Sequence, residues 1–339
     1  MRGVDKQRVT AWFTEHIEGC SAPLSFEVIA GGHSNLTFKV TDATGRRYVL
    51  RRPPTGHVLA SAHDMAREHR LITAVGQTNV PVPTTLGLCT DELVNDAPFY
   101  VMDFVDGVVL DTPEKAVEMS VEARRSAGLD LVDVLAALHA VDVDAVGLGN
   151  LAKRDGYVAR QLKRWSGQWE LSKTRELPVV EQVRDLLSAS IPPQQAVSIT
   201  HGDYRLGNTL TDPLTGRITA VLDWELCTLG DPLADVGYIG IYWSDDRSAS
   251  GRLGDATIVG GFPTYDEMLA RYASRSSLDL SGIGYYKALA AWRLAIISEG
   301  VLARYLHGQM ADDAQETITA FRDGAEEMAN RALTHIQGA

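Results

Sequence analysis

Apolar and polar residues alternate at period two through residues 24–54, "LSFEVIAGGHSNLTFKVTDATGRRYVLRRPP", and the alternation breaks at Gly31-Gly32 and at "DATG". That period marks half-buried strands and glycine-containing breaks mark turns, so the segment predicts three antiparallel strands after an opening helix. The spacing then lengthens. In "SAHDMAREHRLITAVGQ" the residues Met65, His69 and Ile72 recur at helical intervals, and Pro81 and Pro83 close the segment. A further strand, "APFYVMDFV", runs into Asp106 and Gly107, which read as a hinge.

Beyond the hinge the pattern is helical. Leu131, Val134, Leu135 and Leu138 share one face of "SAGLDLVDVLAALHAVD". Between about residues 151 and 195, Trp165, Trp169 and other apolar positions recur among charged ones, as in a helical insertion. The chain has 339 residues, more than one typical core accommodates. Two lobes are expected, residues 1–105 built on an antiparallel sheet and residues 106–339 mainly helical, which makes the class α+β.

Composition removes several function classes. Apolar residues are 45% and charged residues 22% of the chain, as in a globular protein. A net charge of −12 opposes attraction to nucleic acid and to anionic membrane surfaces, so neither is an expected partner. Cys20, Cys89 and Cys227 lie far apart without zinc-site spacing. With no apolar signal core and no run near the ~20 residues of a membrane span, a soluble cytoplasmic protein is expected. Residues 151–190 depart from the overall balance, with eight basic side chains against five acidic. A solvated helix face accounts for that surplus, and so does an anionic ligand.

The acidic residues concentrate instead in residues 198–237, "SITHGDYRLGNTLTDPLTGRITAVLDWELCTLGDPLADVG". Here "NTLTD" and "RITAVLDW" read as strands around the turn "PLTG". The centre of such a hairpin falls between Thr215 and Gly216, which would set Asn208 and Asp223 roughly opposite each other, Cβ atoms about 4.5–5.5 Å apart. An amide oxygen and a carboxylate that close suit a hard cation such as Mg²⁺. Asp203, five residues before Asn208, could then take the proton of a hydroxyl nucleophile, as the base in phosphoryl transfer must. Taken singly, each of the three reads rather as a turn or strand-end residue bonded to backbone. The combination HGDxxxxN followed by "AVLD" is what carries specificity.

"HGDYRLGN" and "VLDWE" closely resemble the catalytic loop and metal-binding segment of the aminoglycoside phosphotransferase family, whose fold is similar to that of protein kinases. "VLRRPP" and "LDWELCTLGDPLADVG" look most like the branch containing the kinase-like domains attached to acyl-CoA dehydrogenases. The resemblance covers nearly the whole chain. It implies a bilobal protein-kinase-like fold, ATP and Mg²⁺ as co-substrate and cofactor, and a small hydroxylated molecule as acceptor. By position Asp203 matches the catalytic base, Asn208 and Asp223 the metal ligands, and His201 a histidine that supports the loop. Asp231 before Pro232 is a helix start, and the resemblance gives Asp231 and Asp235 a structural role. Arg205 either reaches the transferred phosphoryl group or bridges to a carboxylate, and Glu225 faces metal or solvent.

In the first lobe the resemblance places the nucleotide. Gly31 and Gly32 would let backbone approach the phosphates, with Ser34 and Asn35 as donors. The strand position that holds a phosphate-binding lysine in kinases is Arg51 here, and Glu68 is its matching glutamate. Arginine keeps the charge with a longer, planar head. Arg52 is the fallback, and a surface salt bridge is the alternative reading of the pair. Backbone groups near Asp103 and Val105 would bond the adenine, with Met102 and Phe104 as core residues.

Acceptor recognition is expected from the insertion and last helices, including Trp165, Trp169, Tyr285, Tyr286, Trp292, Arg293, Glu299 and Arg304. A basic, aromatic insertion suits a hydroxyacid or hydroxyacyl-CoA better than a polycationic aminoglycoside. An aminoglycoside-type kinase is one alternative. A nucleotide-binding pseudokinase scaffold is another, favoured by Arg51 and opposed by the intact Asp203, Asn208 and Asp223. Too few residues separate Asp223 from "GDPLAD" for the activation loop of a protein kinase.

Overall fold

The computed structural model describes residues 3–30, 35–55, 64–244, 256–308 and 315–339. The chain divides into two compact units. The first comprises Met1–Gly107, Asp144–Leu148 and Thr219–Leu226. Its elements are α1 (Lys6–His16), β1 (Ser25–Ala30), β2 (Leu36–Thr41), β3 (Arg47–Arg52), α2 (Met65–Val75), β4 (Thr85–Cys89), α3 (Glu92–Asn95) and β5 (Phe99–Asp103). The five strands form one antiparallel sheet in the order β1-β2-β3-β5-β4.

The period-two alternation emerges as two sheet faces. Phe38, Val40, Tyr48, Leu50 and Phe99 are fully buried with Phe13 of α1 in one apolar cluster, each such side chain stabilising the fold by roughly 1.5–3 kcal/mol. The "DATG" turn is fixed by Asp42, whose Oδ1 accepts from the Thr44 N–H at 2.8 Å and the Arg46 N–H at 3.0 Å. The edge strand β4 is absent from the sequence expectation. Its first four residues are all half-buried, so no inside-outside contrast marks it.

The second unit comprises Val108–Val143, Gly149–Ile218 and Cys227–Ala339. Its elements are α4 (Pro113–Val117), α5 (Val121–His139), α6 (Tyr157–Ser172), α7 (Pro178–Ala189), β6 (Ser198–Thr200), β7 (Thr209–Thr211), β8 (Ile218–Val221), β9 (Thr228–Gly230), α8 (Leu233–Tyr242), α9 (Tyr265–Ala273), α10 (Ile283–Leu306) and α11 (Gln315–Gln337). All of β8 beyond Ile218 belongs to the first unit. Leu131, Leu135 and Leu138 of α5 are fully buried, as the spacing predicts, and Val134 is buried beside them.

The insertion is helical, as expected, but most of its aromatic pattern is structural. Trp169 is 2% exposed. Trp292 Nε1 donates to the Val180 carbonyl at 2.9 Å, and the Tyr285 hydroxyl donates to the Leu187 carbonyl at 2.9 Å. Glu299, fully buried, accepts from the Thr174 N–H at 3.1 Å and its hydroxyl at 2.6 Å. Trp292, Tyr285 and Glu299, three of the expected acceptor residues, therefore join α7 and the end of α6 to α10, and Trp169 is buried in α6. Among the described residues no helix is long and apolar enough to cross a membrane.

Candidate active site

In the first unit, the antiparallel register sets Arg51 between Thr37 and Tyr100. The helix α2 starts at Asp64, whose carboxylate accepts from the Arg67 N–H at 2.9 Å, and this start places Glu68 in the first turn. Glu68 is 1% exposed. Its Oε2 accepts from Arg51 Nε at 3.1 Å and from the Tyr100 hydroxyl at 3.1 Å, while Oε1 accepts from Asn35 Nδ2 at 2.9 Å. Arg51 Nη2 donates to Asp223 Oδ1 at 2.5 Å and lies 3.9 Å from Glu225 Oε2. One guanidinium thus faces three carboxylates, and the surface salt-bridge alternative is corrected to a buried cluster.

Burial alone would lower the Arg51 pKa, but Tyr100 and the carboxylates outweigh it and hold the charge more firmly than usual. Burial raises Glu68, against the opposing pull of Arg51. Asn35, expected to donate to phosphate, instead donates to Glu68 and, at 3.4 Å, to Glu225. Gly31, Gly32 and Ser34 lie outside the described residues. Arg52 points to the other face, where Nη1 donates to the Gly3 and Asn95 carbonyls at 2.6 and 3.1 Å. The Asp103 N–H is committed to the Thr84 carbonyl at 2.9 Å and its carboxylate to Arg46 at 3.2 Å. Val105 follows β5 and is half-buried.

In the second unit, β6 pairs antiparallel with β9 and delivers His201, which is fully buried. Asp235 lies in the first turn of α8 and is 1% exposed. It accepts from the His201 N–H at 2.6 Å and the Gly202 N–H at 2.8 Å. Gly202 takes φ of +83°, which only glycine adopts freely. The Asp203 N–H donates to His201 Nδ1 at 3.3 Å. The Asp203 carboxylate accepts from the Tyr238 hydroxyl at 2.5 Å on Oδ1 and from Asn208 Nδ2 at 2.6 Å on Oδ2. Arg205 Nε lies 3.7 Å from the same carboxylate, the salt-bridge reading, with its guanidinium over the Tyr242 ring. Asp231 accepts from the Leu233 N–H at 3.1 Å and the Tyr286 hydroxyl at 2.7 Å, as a helix-start residue should.

Asn208 and Asp223 do not form the strand pair expected of the hairpin. The turn closes as expected, the Asp212 N–H donating to the Arg217 carbonyl at 2.8 Å. Asn208, however, ends a single 3₁₀ turn, Leu206–Asn208, and Asp223 is left-handed with φ of 62°. Neither residue lies in a strand, so strand-pair spacing does not apply to them.

Each residue by itself offers an oxygen of the kind a hard cation takes. Asn208 spends its amide nitrogen on the Asp203 carbonyl at 2.8 Å and on the Asp203 carboxylate, which leaves the amide oxygen as its acceptor. Asp223 presents a carboxylate with 29% of its side chain exposed. Oxygen donors of this kind match Mg²⁺.

Tyr238 and Tyr100, each on a carboxylate of these clusters, were not among the expected site residues. Asp235 and Tyr238 stand three positions apart on α8, and that spacing is a signal for Tyr238. Nothing comparable marks Tyr100.

The model of the phosphotransferase enzyme family APH matches residues 25–271. Acyl-CoA dehydrogenase family member 10 of Mus musculus is 32% identical over 314 residues, 91% of this chain and 29% of that protein. Probable acyl-CoA dehydrogenase IBR3 of Arabidopsis thaliana is 33% identical over 335 residues, 93% of this chain and 40% of that protein. The chain thus spans well under half the length of these curated relatives. A Ralstonia eutropha crystal structure provisionally described as an aminoglycoside phosphotransferase is 34% identical, with TM-score 0.83 over 99% of both chains. Spectinomycin phosphotransferase APH(9)-Ia, in complex with ADP and spectinomycin, has TM-score 0.64 over 98% of this chain and 99% of that one at 10% identity, a likeness of fold alone. The expected α+β, protein-kinase-like fold is borne out.

Proposed function

The chain belongs to the APH phosphotransferase enzyme family, and from that premise we propose that it transfers the γ-phosphoryl group of ATP to a hydroxyl of a small molecule. The observation that carries this reading is the fixation of Asp203, with Tyr238 on one carboxylate oxygen and Asn208 on the other. Asp203 acts as the base. It accepts the hydroxyl proton as the acceptor oxygen bonds to phosphorus and the bond from phosphorus to the ADP oxygen breaks.

Residues of the first unit serve the nucleotide. Arg51, oriented by Glu68, bonds the phosphates, and backbone near Asp103 and Val105 bonds the adenine. Asn208 and Asp223 would hold Mg²⁺, which supplies neutralisation of phosphate charge when bound.

The acceptor is a hydroxyacid or hydroxyacyl-CoA. Support comes from relatives named as acyl-CoA dehydrogenases and from the locally basic, aromatic insertion. The test measures ATP turnover with Mg²⁺ on a hydroxyacyl-CoA and on kanamycin, for the wild type and Asp203→Asn. Turnover on the acyl-CoA should fall by about 10²–10⁴ in the variant, the usual contribution of a general base, with ATP affinity nearly unchanged by calorimetry. Activity confined to kanamycin would overturn the acceptor class, and undiminished turnover in Asp203→Asn would remove the base.

A further inference from the structure

The second unit holds a cation that phosphoryl transfer, as described, leaves unused. Arg293 lies on α10, and its Nη2 donates to the Gly202 carbonyl of the loop that carries Asp203. Its Nε is buried and makes no hydrogen bond. The guanidinium stands 4.5 Å from the centre of the Tyr238 ring and 5.7 Å from that of Trp165. Among the described residues no carboxylate forms an ion pair with it.

This half-buried cation is held by the Gly202 carbonyl, by the two aromatic rings and by the charge of nearby Asp203, which together outweigh the cost of burial. Arg293 also lines an open concavity with Tyr157, Gln161, Trp165, Tyr238 and Tyr286. Gln161 is oriented by the Trp165 indole N–H, which donates to its Oε1 at 3.1 Å. Tyr238 belongs both to this wall and to the base, because its hydroxyl donates to Asp203. A ligand seated here therefore meets a guanidinium at one end and lies one tyrosine ring from the carboxylate of Asp203.

We infer that this pocket is the acceptor's specificity site. Arg293 binds an acyl oxygen, carboxylate or thioester carbonyl, while the aromatic wall holds a short alkyl chain whose hydroxyl reaches Asp203. The role of Asp203 rests on the phosphotransferase reading; the binding step does not. Arg293 could serve only as a brace for the Gly202 carbonyl, and the two roles differ in selectivity. A brace supports every acceptor equally, whereas an acyl-oxygen site distinguishes ligands of equal length.

The test is calorimetric titration, without nucleotide, of 6-hydroxyhexanoate, its N-acetylcysteamine thioester and 1,6-hexanediol into the full chain. The wild type should bind at least one acyl ligand about tenfold more tightly than the diol, the worth of one charge-assisted hydrogen bond. Preference for the acid identifies the carboxylate as the group, and preference for the thioester identifies the carbonyl. Arg293→Gln should erase the difference and Arg293→Lys should restore part of it. Trp165→Leu should weaken all three ligands alike. Equal binding of the three to the wild type, or an equal loss of all three in Arg293→Gln, would overturn the inference. Acyl-selective binding with no phosphorylation of any acceptor would overturn the kinase reading alone.

Discussion

Replacing Asp235 tests what holds the loop that carries Asp203. The carboxylate is 1% exposed and accepts from the His201 N–H at 2.6 Å and the Gly202 N–H at 2.8 Å, with His139 Nε2 at 3.3 Å. Asparagine has the same shape but one acceptor oxygen, so one of the two backbone donors must face an amide N–H₂. A buried donor left unsatisfied costs about 1–3 kcal/mol, and a hydrogen bond to a charged group contributes about 1.5–3. Asp235→Asn should therefore lose about 2–3 kcal/mol, and Asp235→Ala, which strips both donors, about twice the single-donor penalty.

Urea unfolding reads the loss as a lower midpoint at unchanged slope. Because two units need not unfold as one, hydrogen exchange at the His201 and Gly202 amides is the sharper measurement. Their protection should fall in Asp235→Asn while amides of β2 and β3 stay protected. Turnover should drop with them, since Asp203 follows directly on the released backbone. A variant within about 0.5 kcal/mol of the parent, the usual scatter of substitutions away from special features, with unchanged protection at both amides, would show that Asp235 does not hold the loop.

Two further substitutions probe the charged groups. Arg51→Ala leaves the buried Glu68 and Asp223 without their cation, and removing one partner of a buried pair costs about 3–5 kcal/mol; Arg51→Lys keeps the charge without the fork that reaches both carboxylates, so its melting temperature should fall between wild type and Arg51→Ala, and equal melting of all three would refute the cluster's role. His335 is held down at about 4 by burial, then by Lys287 and Arg331, against an ordinary 6.5. Between those values the unfolded chain binds more protons than the folded one, so stability should fall as pH drops through the window and level off above it. After screening for its partial exposure the effect is about 1 kcal/mol. Unfolding midpoints at pH 4.5 and 7 should converge in His335→Gln, and an unchanged gap would assign the slope to other groups.

What could be read from the chain and what could not divide along physical lines. Alternation over residues 24–54 locates β1 to β3, because a buried face repeats every second residue, and the same alternation puts Arg51 and Arg52 on opposite faces. The loop aspartate and its neighbours are legible from spacing because they act within a few residues of one another. Their partners are not. Tyr238 is 35 positions from Asp203 and Arg293 is 91 from Gly202, and no local pattern joins residues that only tertiary packing brings together. The hairpin estimate failed for a different reason. It assumed that strand geometry continues to Asn208 and Asp223, whereas a 3₁₀ turn and a left-handed aspartate end the strands first. Aspartate tolerates that conformation without advertising it as glycine would. Aromatic residues spaced among charges are ambiguous in yet another way, since a helix seam and a ligand pocket call for the same composition. Trp169 and Trp292 proved to be seam, and Trp165 and Arg293 pocket. The distinguishing feature is where each side chain sits: Trp169 and Trp292 are almost wholly buried, whereas Trp165 and Arg293 border an open concavity.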